Sequence, residues 1–344
     1  GGEGTGKTLG KLFGGKPITL EVHGPVWKRV EATYWMLDDG KAVMDMASAS
    51  GLGLVPPEER NPLNTTTYGT GEMMRDAMMR GAKEIWLGVG GSATVDGGLG
   101  LALALGVPVY SEGQLLETGS GRELLSLTDV GSPADFWHGK ILIFTDVTNP
   151  LCGEEGAAVV YGPQKGATPE MVPLLDRALE RWALLLEKKT GKALKDIPGM
   201  GAAGGIALPL VAFWDAELTI GAKRILDFLQ YDRYLENAHL VITGEGKVDR
   251  QTLYGKAPSE VIRRCEAHLT PCVVFCGQVG EGFDALYDAS VSAVLPCFPC
   301  ETVPATPEEA RKRLHQVALR FFELFFFLYL QEVKSLAHEN EIIP

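Results

Sequence analysis

The sequence predicts an α/β fold, with two domains around a cleft: one carries a mainly parallel sheet and the other is mixed. Three observations lead there. Four apolar runs each end in a glycine- or aspartate-bearing loop, helical periodicity lies between them, and the first part of the chain has the punctuation of a hairpin. A length of 344 residues also favours two domains over one.

From Ile18, ITLEVHGPVWKRVEATYWML holds two strand-like runs broken at Gly24-Pro25, which predicts a hairpin and a mixed or antiparallel region. Asp38-Asp39-Gly40 marks a further turn before KAVMDMA. The four apolar runs are IWLGVGG before Ser92, ILIFTDV ending at Val147, LVITGEG ending at Gly246 and VVFCG ending at Gly277. Alternation of strand, loop and helix gives a parallel sheet, whose ligands bind beyond the carboxyl ends of the strands, where these loops fall. Leu175, Ala178, Trp182 and Leu185 recur at spacings of three and four, one face of a helix that Thr168 would cap with Pro169 in its first position. Thr306, Pro307 and Glu309 have capping-box order and predict a second, terminal helix. Within it FFELFFFLYL, from Phe321 to Leu330, is interrupted by Glu323 and too short for a bilayer, which needs about 20 apolar residues. It reads as a buried helix face or an interface.

Composition narrows the function. Hydrophobic residues make up 45% and charged residues 22%, a globular balance. A net charge of −12 argues against a nucleic-acid partner, although the local field of a cleft can still favour a small anion. No membrane partner is expected, and a homodimer is compatible with the sequence. The six cysteines include a C-x3-C and a C-x2-C, but Cys272 and Cys276 lie in a strand pattern about 13 Å apart, too far for one tetrahedral metal. Reduced thiols and no signal-peptide pattern give a cytoplasmic expectation.

The 42 glycines cluster in loops that carry candidate chemistry. In VGGSATVDGGLG a strand feeds Gly90, Gly91 and Ser92, and a helix-like run follows Asp96-Gly97-Gly98. Small residues before a helix let backbone N–H groups converge on an anion. Ser92 and Thr94 add hydroxyls, and Asp96 could hold a metal, accept a proton or simply cap a turn. In TDVTNPLCG, Asp146 ends a strand, a position for Mg²⁺ or substrate as well as for a cap, and Asn149-Pro150 turns the chain. YGPQKGATPEM makes a stiff exposed loop that presents Gln164 and Lys165 before a helix, as a phosphate clamp or as a solvated lysine. GMGAAGGIALP, from Gly199, suggests close backbone approach to a ligand or a mobile connection. TGEGKVDRQTLYGK gathers Gly244, Glu245, Lys247, Asp249, Arg250 and Lys256, as a Mg²⁺–phosphate site or a salt-bridged surface loop. GGEGTGKT, Gly1 to Thr8, fits the P-loop pattern without the strand a P-loop needs before it, and reads as coincidence.

Together and in order, GGEGT, ASGLGLVPPEERNPLNTTTYGTGE from Ala49, GGSATVDGG from Gly90, DVTNPLCG from Asp146, GPQKGATPEM from Gly162, GAAGG from Gly201 and TGEGKVDRQTLYGKAP from Thr243 resemble the bacterial-type glycerate kinase family, from Gly1 to about Cys300. Seven ordered blocks are far more specific than one glycine loop. The resemblance implies ATP-dependent phosphorylation of D-glycerate by direct in-line transfer, with 2-phosphoglycerate the usual product and Mg²⁺ required. It implies a mixed α/β domain over 1–220 with the first three loops, and a Rossmann-like domain over 221–344 with the TGEGKVD loop. Phosphoryl transfer relies on positioning and charge neutralisation. The implied roles put Gly90, Gly91, Ser92 and Lys165 on phosphate. Thr94, Gln164, Gly244, Glu245 and Lys256 would serve nucleotide or substrate, Asp146 and Asp249 would hold Mg²⁺ or orient the substrate, and Asp96 would be the base. Asp96, Lys165 and Asp249 form the expected catalytic set. In the family a strand, an Asp-Ser-Phe-Lys loop, a helix and a second strand lead into GGEGT, so this chain is expected to lack one wall of the cleft. Gly6-Lys7-Thr8 and the phenylalanine-rich tail are also atypical. The competing expectations are a phosphate-ester hydrolase or mutase acting on a related acid, and a metabolite-binding protein without turnover.

Overall fold

A computed structural model of the chain describes residues 4–134, 136–253, 257–289, 291–298 and 306–340. The chain divides into two compact units, Gly1–Gly221 and Ala222–Pro344. The first contains strands β1 (Lys16–His23), β2 (Arg29–Met36), β3 (Lys41–Asp45), β4 (Glu84–Gly88), β5 (Val109–Ser111), β6 (Gln114–Leu115), β7 (Leu127–Val130), β8 (Lys140–Thr145) and β9 (Glu217–Ile220).

Its main sheet has the order β1-β2-β3-β4-β8-β9. β1 and β2 are the hairpin that Gly24-Pro25 announces, closed by Gly24 N–H donating to the Lys28 carbonyl at 2.6 Å. The Asp38–Gly40 turn leads into β3, antiparallel to β2, and from β3 onward the pairings β3/β4, β4/β8 and β8/β9 are all parallel. Burial explains why β4 and β8 show no alternation of polar and apolar residues. Ile85, Trp86 and Leu87 of β4 and Ile141 to Phe144 of β8 are all buried, as strands covered on both faces must be. β5, β6 and β7 make a small separate antiparallel sheet.

The amphipathic helix runs over Met171–Thr190, with Leu175, Ala178, Trp182 and Leu186 buried; Leu186, rather than Leu185, is the innermost leucine of its last turns. It starts after Thr168-Pro169 because those residues form the preceding turn, and Val172 N–H finds the Thr168 carbonyl at 3.2 Å.

The second unit carries β10 (Val241–Val248), β11 (Cys272–Val279) and β12 (Val291–Pro296), parallel and in that order. Arg264, on the helix Ala257–Ala267, ties three helices together. Its buried guanidinium pairs with Asp227, with Asp232 at 3.0 Å and with Glu260 at 2.9 Å. The terminal helix spans Pro307–Asn340, and Glu309 N–H donates to Thr306 Oγ1 at 3.2 Å as a capping residue predicts. Phe321 meets Phe275 edge-on at 5.8 Å, yet Leu324, Phe326, Phe327 and Leu328 are more than half exposed. The tail is therefore only in part a buried face. Among the described residues no helix is long and apolar enough to cross a membrane. Cys272 and Cys276 lie on β11 as the strand pattern requires; Cys300 lies outside the described residues.

Candidate active site

β4 and β8 are parallel neighbours, so they release their following loops at the same sheet edge. One loop carries Gly90, Gly91 and Ser92; the other carries Asp146. The segment after β3 joins them, with Leu52 N–H donating to the Gly91 carbonyl at 2.8 Å and Ala93 N–H to the Ser50 carbonyl at 2.9 Å. With Tyr161, Gln164, Lys165, Ala202 and Ala203 these loops line a cavity of about 330 Å³. That is near the lower end of the ~300–1,000 Å³ typical of small-molecule sites. Gly90, Gly91, Ser92, Asp146, Gln164 and Lys165, chosen from sequence in three separate loops, all line this one space.

Lys165 ends the short turn Pro163–Lys165 and is 2% exposed, so the loop that carries it does not present it to solvent. Its Nζ donates to Ser92 Oγ and to the Thr94 carbonyl, both at 2.7 Å. A lysine ammonium has three donors, and the third has no partner among the described residues. Burial pushes this ammonium down to about 7, against the field of Asp96, which favours the charged form. An incoming phosphate would supply both the missing acceptor and the missing negative charge. Gln164, next to it, is exposed at the cavity rim.

Asp96 is placed differently from the expected base. It is fully buried and does not line the cavity. Its carboxylate accepts from Thr67 N–H and Thr67 Oγ1, both at 2.8 Å, from Gly98 N–H at 3.1 Å and from Gly100 N–H at 3.3 Å. The Thr67 hydroxyl also accepts from Leu101 N–H at 3.0 Å, so it bridges that amide to Asp96. Burial pushes the Asp96 carboxyl up and these donors pull it back. An oxygen pair surrounded only by donors is that of an ionised carboxylate, and a proton taken up there would displace a hydrogen bond. The helix Leu99–Ala104 likewise offers its first N–H groups to Asp96 and Thr67 rather than to an anion. Thr94 is also fully buried, with its Oγ1 unpartnered and its carbonyl on Lys165.

The glycines from Gly199 approach the chain itself, not a ligand. A Cβ at Gly201 would stand 2.2 Å from the Pro150 carbonyl oxygen. At Gly204, where φ is +76°, a Cβ would stand 2.1 Å from that of Thr94. Between them Ala203 takes a left-handed φ of +52° on the cavity wall, a costly conformation for a residue with a Cβ. The P-loop-like start is accounted for too. Gly4 and Gly6 N–H groups, which a P-loop would turn to phosphate, donate to the Asp45 carboxylate at 2.9–3.0 Å.

The TGEGKVD residues belong to the second unit. Gly244 and Glu245 lie on β10 and line a separate, largely apolar cavity of about 900 Å³ within that unit. Glu245 accepts from Thr252 Oγ1, and Asp249 stands 3.7 Å from Lys247 Nζ. Lys256 lies outside the described residues.

Among the described residues no group of three or more His, Cys, Asp or Glu is arranged to cage a metal. Asp146 is the carboxylate of the 330 Å³ cavity. That donor set fits Mg²⁺, which commonly takes one or two carboxylates and completes its shell with phosphate oxygens and water. Thr67 and Tyr161 are structural partners of the site that sequence reading did not single out, and Asn149, read only as a turn residue, is a third. The run of threonines in NTTTY, buried at Thr65, Thr66 and Thr67, was the available signal for the first of them.

Comparison with known proteins agrees with this assembly. A model of the Glycerate kinase family matches residues 1–325. A protein named "Glycerate kinase" from Halalkalibacterium halodurans is 42% identical over 303 residues, covering 87% of this chain and 80% of that protein. "Glycerate 2-kinase" of Escherichia coli K12 is 38% identical over 315 residues, covering 90% and 82%. A crystal structure of a protein assigned as glycerate kinase 2 from Salmonella typhimurium LT2 superimposes with a TM-score of 0.81 at 36% identity, over 96% of this chain and 87% of that one. With residues 1–325 matched by the family model and 96% of the chain matched in fold, the chain belongs to the glycerate kinase family.

Proposed function

We propose that this chain transfers the γ-phosphoryl group of ATP to a hydroxyl of D-glycerate, with 2-phosphoglycerate as the favoured product. The observation that carries the reading is Lys165, a buried ammonium with one donor unfilled among the described residues, on a cavity that it shares with Gly90, Gly91, Ser92 and Asp146. Its charge would neutralise transferring phosphoryl oxygens in a place where little water competes. Gly90 and Gly91 let the phosphate approach the backbone, and Ser92 holds the Lys165 Nζ in line. Asp146 would hold a Mg²⁺ ion that enters with the nucleotide, or orient the acceptor hydroxyl; such an ion would supply charge neutralisation on the phosphate. Asp96 acts one step back, through the field it exerts on Lys165. For Gly244, Glu245 and Asp249, nucleotide or Mg²⁺ contact remains the proposed role on family resemblance.

The test is ADP release followed with D-glycerate, L-glycerate and no acceptor, with the phosphate of the product then located by NMR. D-glycerate-dependent ADP and a phosphate on the second carbon are expected. A folded protein that releases ADP at the same rate with and without acceptor would not be this kinase. Release of inorganic phosphate from phosphoglycerate without nucleotide would identify a hydrolase.

A further inference from the structure

We propose that Asn149 and Tyr161 form a positioning pair that fixes the Asp146 loop against the turn carrying Lys165; this rests on the kinase reading above. Asn149 is joined to three neighbouring segments. Its Oδ1 accepts from the Tyr161 hydroxyl at 2.6 Å, and its Nδ2 donates to the Glu155 carbonyl at 2.8 Å. Its own carbonyl accepts from Gly201 N–H at 3.0 Å, at the start of the wall that includes Ala202 and Ala203. Tyr161 lines the cavity itself. It ends the helix Ala157–Tyr161, whose next residue, Gly162, begins the turn through its carbonyl, which accepts from Lys165 N–H at 2.9 Å.

Only Val147 and Thr148 lie between Asp146 and Asn149, and both ends of that stretch are held. Val147 N–H donates to Thr145 Oγ1 at 3.2 Å at the start, and Asn149 is pinned at the other end. The loop that presents the carboxylate therefore has its path set by a side-chain hydrogen bond to the segment that presents the ammonium. An asparagine is needed for this: aspartate would face the Glu155 carbonyl without a donor, and glutamine is one methylene too long. Misplacing a reacting group by about 1 Å can cost on the order of 10²-fold in rate, so a partial loosening is visible in turnover.

Asn149→Ala risks unfolding the junction, so Tyr161→Phe, which keeps the ring and removes one hydrogen bond, carries the test. Its kcat is expected to fall about tenfold, with KM for ATP and D-glycerate within about threefold of the parent, since ground-state contacts are retained. In an Asp146→Asn background the same change is expected to have less than about a twofold effect, because residues acting as a unit are non-additive. A full tenfold loss in both backgrounds, or no loss in the parent, overturns the pairing. Hydrogen exchange supplies a readout that needs no turnover: the Gly201 amide and residues 146–150 should exchange faster in Tyr161→Phe, and unchanged exchange also overturns it. A parent protein without glycerate-dependent ADP release would defeat the kinase reading, while exchange would still decide whether this pair holds the loop.

Discussion

Lys165→Met is expected to lower kcat/KM for ATP by about 10²–10³-fold, the usual loss when one preorganised electrostatic contact to a transition state is removed. The same substitution should leave the melting temperature unchanged or higher. Methionine fills similar volume, and removing the charged form that burial opposes offsets the loss of a donor to Ser92 Oγ and the Thr94 carbonyl. Falling turnover with preserved stability separates a phosphate contact from a structural lysine; a melting temperature that collapses along with activity would mean that Lys165 mainly holds Ser92 and Thr94 together. The pH profile gives a second check. With Lys165 pushed down to about 7 in the free protein, kcat/KM should decline as pH rises through that value. Bound phosphate favours the ammonium, so the decline in kcat should lie at higher pH, and Lys165→Met should lose this limb. Stability has the opposite sign. Between about 7 and the ordinary lysine value of 10.5 the unfolded chain binds more protons than the folded one. The Lys165 contribution to stability therefore rises with pH across that window, and below it the full cost of burying the charge is present.

Asp96→Asn is expected to cost about 3 kcal/mol of stability, read as a lower urea midpoint. Every contact to the carboxylate comes from a donor, so an amide in either orientation turns its NH₂ towards an N–H or O–H and leaves one buried donor unpaired. Removing the negative charge should also move the Lys165 limb of kcat/KM to lower pH, because the field that supports the ammonium is lost. Retained stability and an unmoved limb, with turnover abolished, would return Asp96 to proton transfer. If both outcomes are observed, the two neighbouring charges have different work: Lys165 meets phosphate, and Asp96 keeps Lys165 charged.

Much of this was legible in the sequence, for reasons that can be named. The apolar runs became β4, β8, β10 and β11 because each is bounded by glycine or aspartate and is too short for a helix. Parallel pairing then made it predictable that Ser92 and Asp146 would meet, since neighbouring parallel strands end on one edge. Lys165 joined them because a proline- and glycine-bounded turn holds it. What could not be read was burial. The motif string of an exposed lysine loop is the same as that of a lysine folded inward, and only the partners at Ser92 and Thr94 distinguish them. The placement of Asp96 away from the cavity was hidden for the same reason: its donors come partly from Thr67, 29 positions earlier in the chain. The glycines at Gly201 and Gly204 read as close approach to a ligand or as a mobile connection, whereas they pack on backbone from Pro150 and Thr94, contacts that leave no local pattern.

The parallel pairing of β4 with β8 also bears on how the molecule reaches this state. Glu84 pairs with Lys140, and the intervening chain must be closed off before either loop is held at its edge. Such long-range closure is slow relative to local helix formation. Ser92 and Asp146 come into register only once the central strands have met, so the ability to bind phosphate is expected to emerge with that pairing rather than ahead of it.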